Sequence, residues 1–387
     1  MIAIARKAFS WPLAVCSIFF LTLTACMADS ARSAQWPLDS FRVHSEVWPH
    51  SEGRGIIVAV IDSGVRSTHQ DLTGQMVGGK DLIDHRDSPT TIDHDGHGHG
   101  TAMASLIVAH GHGSGNNDGV AGLAPQAKVM PLAIDTGPNS LQEASEAIYF
   151  SVNHGARVIN MSFATPSGTP TMRSAVAYAI SHDTVVVAGA GNAGADSLAW
   201  PAAYPGVVSV GAVDVDGKPW VDSNYGPGLT LTAPGVDIVA AGASSDSEYR
   251  LSDGTSDAAA YVSAEAALVR AEYPRLTAGQ VVNRMVKSAV NPTGRVHDDH
   301  YGYGIIRPDA ALTFDIPAGP PEGPLKQLGA AGRTVGTPVA VAAEPTAGER
   351  RSGGVGDGVV GAVSGVAVVG VGGAWWAWRR RKGRGVG

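Results

Sequence analysis

Five short apolar runs mark the middle of the chain: Ile56 to Ile61, Lys128 to Ile134, Arg157 to Met161, Thr184 to Ala188 and Val207 to Val213. Each is mostly apolar along its length rather than alternating, as expected of strands buried on both faces of a parallel sheet. Helical patterns with readable ends lie among them. Ser140 with Glu143 predicts a capping box opening a helix that ends near Gly155, and Thr277 with Gln280 predicts another, with Leu276 and Val281 spaced as a hydrophobic staple. Strand and helix in series from about residue 30 to 316 point to an α/β domain whose parallel sheet is covered on both faces. In such sheets the active site lies at the carboxyl ends of the strands.

Two longer uncharged runs sit at the ends. Ala8 to Ala28 follows Arg6 and Lys7 and turns from Ile18-Phe19-Phe20-Leu21 to small residues, which reads as a secretory signal peptide over residues 1–28. Two processing routes stay open: cleavage at Cys26-Met27-Ala28, or lipidation of Cys26 within the lipobox-like Leu23-Thr24-Ala25-Cys26. Gly358 to Trp378 has no charge and is long enough to cross a bilayer, with Trp375, Trp376 and Trp378 at headgroup level and the basic tail 379–387 held in the cytoplasm. Its glycines leave a flexible tail as the alternative. Residues 317–357 are rich in Pro, Gly and Ala and read as a linker. The expected topology is a single-pass protein of the cell membrane, its folded domain outside the cytoplasm.

Composition refines this picture. Glycine is about one residue in eight, against a usual ~7%, without a third-position period, so collagen is excluded. Both cysteines, Cys16 and Cys26, fall in the leader, so the exported domain has no internal disulfide. Without the two ends, 21 basic residues face 35 acidic ones, a formal charge of −14. Such a surface is a poor partner for nucleic acid.

Four elements carry candidate chemistry. Ile56 to Ile61 runs directly into Asp62-Ser63-Gly64, placing a carboxylate at a strand's carboxyl end. His97-Gly98-His99-Gly100-Thr101 opens a helix of small residues and presents an imidazole at its start. His94, His97, His99, Asp93 and Asp95 also have metal-binding chemistry, but Gly98 and Gly100 break any helical ligand pair. Gly254-Thr255-Ser256 puts a hydroxyl at a helix N-terminus, where a backbone N–H can face an oxyanion; taken alone, Ser256 reads as a cap. Ala190-Gly191-Asn192 ends a strand in a Gly-rich loop, where an Asn by itself reads as a turn former.

In the order Asp62, His99, Asn192, Ser256 these elements resemble the subtilisin-like serine proteases. Val60-Ile61-Asp62-Ser63-Gly64, His99-Gly100-Thr101, Val158-Ile159-Asn160-Met161-Ser162, Ala190-Gly191-Asn192 and Gly254-Thr255-Ser256 are all similar to that family's motifs. The resemblance implies a three-layer subtilisin-like α/β fold over residues 29–316 and a serine endopeptidase acting on protein or peptide substrates. It makes Asp62, His99 and Ser256 the catalytic residues. It assigns the oxyanion to the Asn192 side chain and the Ser256 N–H, and substrate pairing to Ser162, Phe163 and Ala164. No cofactor and no required metal are expected; calcium is common in the family, but no contiguous acidic loop has EF-hand spacing.

The architecture narrows the resemblance further. A short extension near Trp36 stands where secreted relatives have a folding pro-domain, and it either crosses the cleft or wraps the domain. With the linker, the single span and the basic tail, it resembles the mycosins, membrane-anchored proteases associated with type VII secretion in actinobacteria. Departures from the pattern are Ala164, which narrows the cleft, Ala260 and Ala264 where the family usually has Pro and Gly, and Asp257, whose carboxylate either raises the His99 pKa or faces solvent. A scaffold subunit with dispensable catalysis is the alternative.

Overall fold

The computed structural model describes residues 31–85, 92–135 and 140–326. The segments read as signal peptide, membrane helix, basic tail and most of the linker lie outside the described residues. Among the described residues no helix is long and apolar enough to cross a membrane.

In chain order the strands are β1 (Ile57–Asp62), β2 (Lys80–Asp81), β3 (His110–His112), β4 (Asp118–Ala121), β5 (Lys128–Ala133), β6 (Val158–Met161), β7 (Val185–Gly189), β8 (Val208–Val213), β9 (Leu231–Pro234), β10 (Ile238–Ala241) and β11 (Tyr249–Ser252). Seven form one sheet in the order β2-β5-β1-β6-β7-β8-β9, and every ladder in it is parallel. The five apolar runs of the sequence are its five inner strands. The hairpins β3-β4 and β10-β11 are antiparallel and separate.

The helices are α1 (Trp36–Ser40), α2 (His99–Val108), α3 (Ser140–Asn153), α4 (Pro170–Ser181), α5 (Thr255–Glu272), α6 (Ala278–Ser288) and α7 (Pro308–Thr313). Successive strand residues point to opposite faces, so one strand feeds two cores. Val58 and Val60 of β1 join a cluster with α2, α5 and α6, whereas Ala59 and Ile61 join another with α3 and α4. The result is three layers with the sheet in the middle.

The α6 capping box forms as expected, Thr277 Oγ1 accepting from Gln280 N and Gln280 Oε1 from Thr277 N. The α3 box does not. Ser140 is itself the first helical residue, and Glu143 Oε2 accepts from the Asp135 N–H at 2.8 Å. The N-terminal segment wraps the domain. Leu38, Phe41, Val43 and Val47 enter the core, Gln35 pairs through its side-chain amide with both backbone groups of Ala121, and Arg32 Nε donates to Gly119 O.

α5 is buried nearly all round, and its small residues, including Ala260 and Ala264, let it lie against β6, β7 and β8. Glu265 is the exception in chemistry. It is fully buried, and burial, then the nearby Asp309 carboxylate, push its pKa well above the usual range against a weaker opposing pull from the Arg307 backbone N–H. A raised folded-state pKa contributes its full stability below the ordinary glutamate range and loses it as pH rises through the folded value. Glu265→Gln, which cannot ionise, is therefore expected to gain stability relative to the parent as pH rises past the ordinary glutamate range, read as a difference in denaturant midpoints across a pH series.

Candidate active site

β1, β6 and β7 are neighbours in the sheet, so the loops leaving their carboxyl ends open on one edge. Asp62 is the last residue of β1, Ser162 follows β6, and Asn192 lies just beyond β7. Two helices begin at the same edge: His99 is the first residue of α2 and Ser256 the second of α5. The residues singled out from the sequence are thus brought to the carboxyl ends of parallel strands, where α/β sheets bind ligands.

His99 Nδ1 lies 2.8 Å from Asp62 Oδ1, with the Asp62 side chain 4% exposed and that of His99 32%. Asp62 Oδ1 also accepts from Ser63 N at 2.8 Å, while Asp62 Oδ2 is buried without a hydrogen-bond partner among the described residues. This close approach of α2 to β1 requires glycine at position 100. A Cβ there would stand 2.1 Å from Gly64 O and 3.2 Å from Asp62 Oδ1, which backbone cannot yield. Asp93 ties the two elements together, accepting from Ser63 Oγ at 2.7 Å and from Thr101 N at 2.8 Å.

The histidine-rich stretch divides into separate tasks. Asp93 braces α2, Asp95 Oδ2 accepts from His99 N, His97 O accepts from Arg250, and His94 Nε2 meets Asp81 Oδ2 at 3.0 Å. Asp81, Asp84 and His94 bring ligand atoms within 4.8 Å of one another, but Asp81 is already engaged by His94 and by the N–H groups of Ile83 and Asp84.

Ser256 Oγ donates to Ser162 O at 3.1 Å, and Ser162 Oγ returns a bond to Ser256 O at 3.2 Å. Ser162 Oγ in turn accepts from Asn160 Nδ2 at 2.9 Å, and Asn160 Oδ1 accepts from Ser263 Oγ at 2.9 Å. The strand end that carries Ser162 is therefore locked to α5. No hydrogen bond joins Ser256 Oγ to His99 in this resting arrangement. Beyond Ser162, Phe163 is half-buried against the second core and Ala164 is exposed.

Asn192 Oδ1 accepts from Thr255 N at 3.0 Å and Thr255 Oγ1 at 2.8 Å. Because Thr255 N can only donate, the amide oxygen is the atom facing it, and Nδ2 turns the other way. Asn224 Oδ1 clamps the Asn192 loop, accepting from Ala193 N at 2.9 Å and Ala195 N at 3.1 Å. Asn224 has no signature in the sequence, since the loop it holds lies some thirty residues away.

Asp257 does not face solvent. Its side chain is buried, Oδ1 accepts from Ser252 Oγ at 3.0 Å, and burial pushes its pKa up to about 6 against the opposing pull of His99. Burial works to lower His99, and the Asp62 carboxylate, its hydrogen bond and then Asp257 outweigh it, so the imidazole is pushed up to about 9.

Residues 53–304 match the subtilase family, and the chain belongs to that family. It is a serine-type endopeptidase by that membership. It is 32% identical to fervidolysin of Fervidobacterium pennivorans over 73% of this chain, although it spans only 44% of that protein's length. It is 33% identical to subtilisin Savinase of Lederbergia lenta over 73% of this chain and 99% of Savinase. Among solved structures it resembles MycP1, described as a serine protease and an essential component of the type VII (ESX-1) secretion system, with a TM-score of 0.62 and 33% identity over 72% of this chain and 88% of that one.

Proposed function

We propose that the chain is an exported serine endopeptidase, anchored in the membrane by residues 358–378, which hydrolyses peptide bonds through an acyl-enzyme on Ser256. The observation that carries this is the 2.8 Å contact of His99 Nδ1 with a buried Asp62 at the same sheet edge as Ser256. In the reaction Ser256 Oγ turns from Ser162 O and attacks the substrate carbonyl carbon while His99 Nε2 takes its proton. The oxyanion is received by Asn192 Nδ2 and the Ser256 N–H. His99 returns the proton to the leaving amine, then deprotonates the water that releases the acyl group. An extended substrate pairs along Ser162, Phe163 and Ala164, which belong to no strand of the domain.

The likeness to MycP1 supports a place in type VII secretion. On this reading residues 1–28 are removed on export, 317–357 form the linker and 379–387 lie in the cytoplasm. Covalent labelling of the full chain with a fluorophosphonate tests the activity. Labelling is expected in the parent and absent in Ser256→Ala; a folded parent that takes no label would overturn the reading. A scaffold role in the secretion complex is the second reading, supported by the Ser256 hydroxyl resting on Ser162 O rather than on His99. A strain carrying Ser256→Ala that secretes normally where a deletion strain fails would establish it.

A further inference from the structure

Asn192 and Ala193 are both exposed, so packing does not hold the side chain that is to receive the oxyanion. Hydrogen bonds must do it. We propose that Asn224 is a positioning residue of the same reaction, fixing the backbone of Asn192 from both sides and so aiming its Nδ2 at the reacting carbonyl. This rests on the acyl-enzyme reading above and adds a residue to it.

Two peptide groups flank the Asn192 Cα, and Asn224 holds each of them. The first offers Gly191 O, which accepts from Asn224 N at 2.9 Å, and the second offers Ala193 N, which donates to Asn224 Oδ1 at 2.9 Å. Peptide groups are planar, so holding both fixes the two torsions between them, φ and ψ of Asn192. The hold continues along the loop. Asn224 Oδ1 also accepts from Ala195 N at 3.1 Å, Gly194 N donates to Asp222 O at 2.8 Å, and Tyr225 N donates to Ala195 O at 2.9 Å. The amide tip of Asn192 has a different holder, since Thr255 N and Oγ1 both donate to its Oδ1. Backbone and tip are thus fixed independently, and Nδ2 is left to face the substrate.

Asn224 is itself well anchored. It is buried, and Ser223 Oγ beside it accepts from Ala212 N of β8 at 3.2 Å. Main-chain N–H groups can only donate, so the Asn224 amide oxygen is the atom that faces Ala193 and Ala195, and its Nδ2 turns towards Gly191. That approach needs a glycine. Gly191 has φ +111°, and a Cβ there would stand 2.5 Å from Asn224 Nδ2.

A double-mutant cycle on the full chain is the test, with rates expressed per site labelled to completion by a fluorophosphonate, so that loss of folded enzyme does not enter kcat. In the parent, Asn224→Ala is expected to lower kcat by about tenfold to a hundredfold, because a displacement of about 1 Å costs that much at a reacting centre. KM should change little, since the oxyanion contact is made in the transition state. In an Asn192→Ala background no amide is left to aim, and the same substitution is expected to change kcat by less than about twofold. Equal losses in both backgrounds would mean that Asn224 supports the domain at large, and would overturn the proposal. If Asn224→Ala does not fold, Asn224→Ser, whose hydroxyl is a shorter acceptor, is taken through the same cycle against the same two outcomes. A folded parent that takes no fluorophosphonate rejects the acyl-enzyme reading itself, whereas equal losses in a parent that labels reject Asn224 alone.

Discussion

Asp62→Ala is expected to lower kcat by about 3 × 10⁴, a magnitude carried over from the corresponding acid of subtilisin rather than derived from these distances. Two losses combine in it. On the proposed mechanism the 2.8 Å bond to His99 Nδ1 fixes the tautomer with Nε2 free to take the Ser256 proton, and the buried negative charge stabilises the imidazolium formed in the transition state. Asp62→Asn separates them. Ser63 N is a fixed donor to Oδ1, so in the Asn variant the amide oxygen stays at that position and continues to accept from His99, while the charge is gone. The Asn variant is therefore expected to lose less than the Ala variant. In both, the acid limb of the rate profile falls from about 9 towards the ordinary histidine value, about 6.5. Steady-state kcat and its pH profile on a peptide substrate check both statements. An Asn variant as slow as the Ala variant would mean that orientation was lost as well.

What the sequence made legible divides by range. The inner strands were readable because a strand covered on both faces needs an unbroken apolar run, and β1, β5, β6, β7 and β8 have one. The sheet's margins were not. β2 has two residues, and β9 is Leu-Thr-Ala-Pro, whose closing proline reads as the end of a strand rather than the interior of one. Of the site, Asp62, His99, Asn192 and Ser256 were singled out through their resemblance to the subtilase motifs, since taken alone Ser256 reads as a cap and Asn192 as a turn former; the structure brings all four to one edge of the sheet. Their supports were not readable. Asn160 and Ser263 are 103 residues apart in the chain and meet only because α5 lies across β6. Glu265 failed differently: a charged residue in a helix normally marks the solvent face, but α5 has none, and its small neighbours give no sign of that. The extension before β1 left two arrangements open, and the Gln35–Ala121 and Arg32–Gly119 bonds resolve them in favour of wrapping.

Asn192→Ala is expected to lower kcat by about 10²–10³ with KM little changed, a range measured on the corresponding Asn of subtilisin and equal to about 2.7–4 kcal/mol of transition-state stabilisation. The argument here rests on which atom faces the reaction. Thr255 holds Oδ1 with two donors, so Nδ2 has no freedom to exchange places with it. Nδ2 and Ser256 N stand equally far, 3.6 Å, from the point a Cβ on Gly254 would occupy. Asn192→Asp keeps the acceptor for Thr255 and replaces the donor by a second oxygen, so it is expected to fall below Asn192→Ala despite its closer shape, because it sets charge against the developing oxyanion. Gly254→Ala supplies the steric counterpart. Gly254 is in extended backbone at φ 173°, open to any residue, and the nearest atoms to the new methyl lie at 3.4 Å, so the chain should fold normally. Its methyl would crowd both donors without removing either, and kcat is expected to drop while the His99 titration stays in place. A full-rate Gly254→Ala enzyme would move the oxyanion site away from the Asn192–Ser256 pair.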